Sequence, residues 1–140
     1  MKIVLQGIPA PCATWARGVR KRRLVLDSLL MAGEYTPNDV ARLLADGEAE
    51  VIDVRAPHEH EAGHIAGTRL IELSELSARA GEIDSERPVV FYCRSGARSA
   101  MATDAFAQAG YDAHNMTGGM LAWEASGLPI APDGGCVAEP

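Results

Sequence analysis

The stretch from Pro88 to Cys93 constrains this chain most. It is a short run rich in Val, Phe and Tyr, with proline in front and a glycine-containing loop behind. Such a run suits a central parallel strand, buried on both faces. Cys93 stands at its carboxyl end, and alternation along a strand points Tyr92 to the opposite side from Cys93.

Signals for alternating helices and strands surround that run. Thr36 as N-cap, Pro37 at the first helical position, Asp39 at the capping-box place and Gly47 as terminator predict a short helix. Val40, Leu43 and Leu44 mark its buried face. Val51 to Val54 reads as a buried strand, Thr68 to Leu73 as a second, and a helix is expected from about Ser74. After Cys93, alanine-rich Ser99 to Ala109 predicts a helix ended by Gly110, and Ala113 to Met116 another strand. Gly118-Gly119 turns into a last short helix with Met120, Leu121 and Trp123, closed by Gly127 and Pro129. Met120 and Trp123 read as packing residues. The fold class is therefore α/β, a mostly parallel sheet with helices on both faces and no internal repeat.

Domain boundaries follow charge and pattern. Residues 34–132 form the expected domain and residues 133–140 a flexible tail. Residues 1–33 lack a clear period and carry six Lys/Arg against Asp27, so they read as a basic N-terminal extension; a basic arm, or a start assigned ahead of Met31, both fit. The remainder has seven arginines against eighteen carboxylates, a balance that repels nucleic acid and leaves any anionic substrate dependent on a local positive site. No stretch reaches the roughly 18 apolar residues of a membrane span. The basic cluster follows the apolar run Ile3 to Ile8, the wrong order for a secretory signal. Three cysteines at 12, 93 and 136 give no disulfide framework or zinc spacing, which fits a reducing, cytoplasmic setting.

The loop after the strand carries the chemistry. In open α/β sheets ligands collect outside the carboxyl ends of strands, and here Cys93 is followed by Arg94, Ser95, Gly96, Ala97, Arg98 and Ser99. Amides at the start of a helix, its positive end and two guanidiniums favour a thiolate over a thiol of ordinary pKa about 8.5, and they hold an anion nearby. Gly96 lets the backbone curl so that successive amides point inward. The plainer readings are a small apolar cysteine at a strand end and surface arginines in salt bridges.

The segment Cys-Arg-Ser-Gly-Ala-Arg-Ser at 93–99 resembles the active loop of rhodanese sulfurtransferases. Asp53-Val54-Arg55 with Glu59, Gly63, His64, Ile65, Ala66 and Gly67, and Gly118-Gly119-Met120 with Ala122-Trp123, Gly127 and Pro129, agree in the family's order across residues 36–130. The resemblance implies a rhodanese-like three-layer fold and a thiosulfate sulfurtransferase with no metal and no organic cofactor. Cys93 would carry sulfur as a persulfide, held by the loop of residues 94–99. The donor would be a small sulfur-bearing anion positioned by Arg94 and Arg98, and the acceptor cyanide or a thiol, a thiol protein included. Phosphatases sharing the fold place five residues between Cys and Arg. Here four intervene, a tighter ring suited to sulfur. A non-catalytic, regulatory module of the same fold is the other alternative, although such modules commonly lack the cysteine kept here.

Other residues have milder readings. His58, His60 and His64, with Glu59 and Glu61, invite a metal assignment, but His58 and His60 are expected in a solvated loop and His64 in a structural motif. The resemblance assigns Asp53 and Arg55 to stabilising ionic contacts. Cys136 is either an incidental exposed thiol or one that resolves the persulfide.

Overall fold

The Thr36 hydroxyl accepts a hydrogen bond from the Asp39 amide at 3.2 Å, and the Asp39 carboxylate accepts one from the Thr36 amide at 3.0 Å. This reciprocal cap starts α1 (Pro37–Asp46), and Gly47 ends it in the left-handed region at φ 67°. Just before it runs β1 (Gly33–Tyr35), a strand with no signal in the sequence reading. These elements belong to a computed structural model that describes residues 33–140. The expected basic extension, apart from Gly33 in β1, lies outside the described residues.

Five strands form one sheet in the order β1-β5-β4-β2-β3, every pairing parallel. β2 is Glu50–Asp53, β3 Arg69–Leu70, β4 Val89–Tyr92 and β5 Ala113–Met116. β4 takes the central place, with Val90 opposite Val51 of β2 and His114 of β5. Its four residues are all buried. Alternation then divides them between the faces. Val90 and Tyr92 join Val40 and Leu43 of α1 and Met120 and Trp123 of α4 (Gly119–Ala125). Val89, Phe91 and Cys93 face Ala102 and Phe106 of α3 (Ala97–Gln108), with Ile71, Leu76 and Ile83. Layers thus cover both sides of the sheet, as expected. Met120 and Trp123 are buried packing residues.

Three of the expected elements take another form. The helix expected from Ser74 is two single 3₁₀ turns, Leu73–Glu75 and Ala80–Glu82, because Ser77, Gly81, Asp84 and Ser85 interrupt any longer run while Leu76 and Ile83 still reach the core. The strand over Thr68 to Leu73 shrinks to two paired residues. The loop expected around His58 and His60 is a helix, α2 (Pro57–Ala62), started by Pro57 and by Glu59, whose carboxylate accepts from the Ala56 amide at 3.1 Å.

The end of the chain lies against the domain. His64 and Ala131 exchange backbone hydrogen bonds of 2.8 Å, Cys136 donates to the Ala62 carbonyl at 2.9 Å, and Val137 packs on the core. Residues 133–140, expected as a flexible tail, include these contacts with α2 and the core. No described helix is long and apolar enough to cross a membrane.

Candidate active site

Cys93 closes β4 with its side chain buried on the α3 face. Beyond it the chain must turn back within three residues to start α3. Gly96 makes this turn at φ 105°, a conformation that side chains resist, and its N–H donates to Cys93 Sγ at 3.1 Å. The first turn of α4 holds the loop from behind: Met120 N–H donates to the Cys93 carbonyl at 2.8 Å and Leu121 N–H to the Arg94 carbonyl at 3.0 Å. In a trans peptide the N–H opposes its carbonyl, so these bonds turn the Arg94 and Ser95 amides away from α4. Gly119 permits the close approach. A Cβ there would stand 2.5 Å from the Cys93 carbonyl oxygen and 2.6 Å from that of Arg94.

Two opposed influences set the charge on Sγ. Burial is the largest and pushes the thiol pKa up. Hydrogen bonds from the Ser99 hydroxyl and from the amides of Ser99, Gly96 and Ser95 together outweigh it, so the pKa lies below that of an ordinary thiol. The Ser99 hydroxyl is 3.5 Å from Sγ, 3.2 Å from the Gly96 carbonyl and 2.6 Å from Asn115 Oδ1. Asn115, at the carboxyl end of β5, is a buried site neighbour that the sequence reading missed. It sits in a strand whose four residues are all buried, with polar His114 beside it, so nothing local singles it out.

The loop's two arginines differ. Arg98 forms a two-pronged ion pair with Glu59 of α2, Nη1 to Oε2 at 2.9 Å and Nη2 to Oε1 at 3.0 Å. Burial pushes the Glu59 carboxyl up, but the Arg98 bond, the Ala56 amide and the nearby guanidiniums bring it below the usual range. Arg98 is thus a clamp between the loop and α2. Among the described residues the Arg94 guanidinium makes one hydrogen bond, Nη2 to Glu139 Oε2 at 3.3 Å, and its buried Nε has no partner. Ser95 and Ala97 are exposed, and Ser95 acts through its amide.

Asp53 and Arg55 are fully buried, with Arg55 Nη2 on Asp53 Oδ2 at 2.7 Å and on the Gly63 carbonyl at 2.8 Å. They tie the end of β2 to the end of α2. The histidines point to separate partners: His60 Nδ1 lies 2.8 Å from Asp53 Oδ2, His64 Nδ1 2.7 Å from the His60 carbonyl, and His58 Nε2 3.0 Å from the Glu139 carbonyl. Cys136 is an exposed free thiol in the terminal segment.

A buried, acidified thiol within a ring of inward amides is equipped to attack an electrophilic atom and to hold an anionic product on its sulfur. The model of the rhodanese-like domain matches residues 36–126. A protein named sulfurtransferase from Allochromatium vinosum is 39% identical over 107 residues, covering 74% of this chain and all of that protein. An HTH-type transcriptional regulator of Mycobacterium tuberculosis is 39% identical over 98 residues, 68% of this chain, which spans only 43% of the regulator's length. The crystal structure of a rhodanese-related protein from Thermoplasma volcanium superposes with a TM-score of 0.66 at 27% identity, covering 71% of this chain and 97% of that one.

Proposed function

The chain belongs to the rhodanese-like domain family, and we propose that it is a sulfurtransferase that carries sulfane sulfur as a persulfide on Cys93. The observation that carries this reading is the inward turn of the loop amides onto a thiol whose pKa is lowered against its burial. The sulfurtransferase relative matched over its whole length supports the same class.

The Cys93 thiolate attacks the outer sulfur of thiosulfate. A new S–S bond forms, the S–S bond of the donor breaks, and sulfite leaves with its electron pair. The persulfide anion on Cys93 is then held by the amides that had held the thiolate. Cyanide attacks the terminal sulfur, leaves as thiocyanate and restores the thiolate; a thiol takes the same role in a reducing cytoplasm. Arg94 draws the anionic donor to the loop mouth, and Arg98, fixed on Glu59, keeps the loop closed. Ser95, Gly96, Ala97 and Ser99 form the rest of the cradle, and the chemistry needs no metal or organic cofactor.

Intact-mass measurement tests the proposal. Incubation with thiosulfate adds one sulfur atom, cyanide removes it, and Cys93→Ser abolishes both steps. A loading Cys93→Ser variant would move the chemistry elsewhere, and phosphate-ester turnover by the native protein would favour the phosphatase. A second reading draws on the regulator relative: a module that accepts sulfur on Cys93 and signals that state. It predicts full loading with negligible thiocyanate release.

A further inference from the structure

Each guanidinium of the active-site loop already has a carboxylate partner, and the two partners differ in kind. Glu59 is 1% exposed and grips Arg98 with both oxygens. Glu139 is 85% exposed and offers Arg94 a single bond at 3.3 Å. That bond takes Nη2, on the same edge of the guanidinium as the unpartnered Nε, the edge on which an oxyanion forks. Glu139 does not stand there by chance of a free end. Cys136 N–H is bonded to the Ala62 carbonyl, Val137 is packed on the core, and the His58 ring is bonded to the Glu139 carbonyl. These anchors keep its carboxylate at a high effective concentration beside Arg94.

We propose that Glu139 is a specificity-determining residue: its carboxylate competes with the oxyanion end of the donor for the Nε and Nη2 edge of Arg94, and so weights the enzyme against dianionic donors such as thiosulfate. The inference rests on the sulfurtransferase reading. A donor whose leaving group carries no oxyanion, such as an alkyl persulfide, has no sulfonate to exchange with Glu139. There the Cys93 thiolate takes the outer sulfur and expels an alkyl thiolate, with atoms and charge conserved. An ion pair this exposed is weak, so Glu139 yields to the donor instead of blocking it; its removal is worth about two- to fivefold in donor affinity.

The test compares native protein with Glu139→Gln at fixed low ionic strength, where surface charges are least screened. The variant is expected to lower the KM for thiosulfate about two- to fivefold and to leave the KM for an alkyl persulfide, which has no oxyanion to fork on Arg94, unchanged. An unchanged thiosulfate KM, or an equal fall for both donors, would overturn the inference. A binding measurement free of turnover separates it from the catalytic reading: sulfate is titrated against the Arg94 Nε–H resonance in Cys93→Ser, with and without Glu139→Gln. Half-saturation at lower sulfate in the double variant supports the competition, and equal midpoints refute it. Failure of Cys93 to accept sulfur would sink the catalytic reading alone, with the sulfate titration still deciding the role of Glu139.

Discussion

The proton on Ser99 Oγ has three acceptors within reach, and only one can hold it at a time. When it turns to Sγ it stabilises the thiolate, and it heads the hydrogen bonds that lower the Cys93 pKa. Ser99→Ala is therefore expected to move the inflection of Cys93 alkylation with iodoacetamide to higher pH. Because the native folded-state pKa is depressed, thiolate reactivity persists to lower pH in the native chain than in the variant. An unmoved inflection would assign the proton to Asn115. Arg98, expected from the resemblance to position the donor, holds Glu59 in this structure. Arg98→Ala leaves a carboxylate buried without its countercharge. The loss is about 2 kcal/mol, below that of a fully enclosed pair because Arg98 is 30% exposed. Urea unfolding measures it, and an unchanged midpoint with weakened thiosulfate use would return Arg98 to the donor.

The first turn of α4 is the element that shapes the loop, since two of its amides fix the Cys93 and Arg94 carbonyls. Gly119→Ala places a methyl against those carbonyls at φ 59°. It is expected to destabilise the fold by at least about 1 kcal/mol and to lower sulfur loading at thiosulfate concentrations that saturate the native protein. Full loading would show that the loop keeps its shape without α4. This contact lies partly within what the sequence disclosed: Gly118-Gly119 was visible as a turn into a helix, but not as the backing of a loop some twenty-five positions earlier. Elements with strong local signals were legible. Thr36, Pro37, Asp39 and Gly47 bounded α1, and the Val-Phe-Tyr run located β4. Elements defined by distant partners were not. β1 is three residues made a strand by pairing with β5, and residues 73–87 hold apolar positions that suit a helix or separate turns equally well. In the site, Cys93 and its loop were legible because one segment supplies thiol, turn and helix start. Asn115 and Glu139 arrive from β5 and the terminal segment, and no local pattern announces them.

Across the whole molecule, Glu59 couples the loop to α2 and makes stability depend on pH. Its folded-state pKa is lowered, so the ion pair stabilises the fold above the ordinary glutamate value of about 4.3 and is lost as pH falls through the folded value. Urea midpoints measured from neutrality into acid should fall less steeply for Glu59→Gln than for the native chain. Identical slopes would show that other carboxylates govern acid unfolding. The parallel sheet also gives the molecule a polarity, because Cys93, the Asp53–Arg55 pair and Asn115 all sit where strands finish. The turns entering β2, β4 and β5, around Glu48, Arg87 and Asp112, gather at the other rim. Evolution or an engineer can therefore splice a tether, a reporter or a neighbouring module there and leave the sulfur-handling end unaware of the addition.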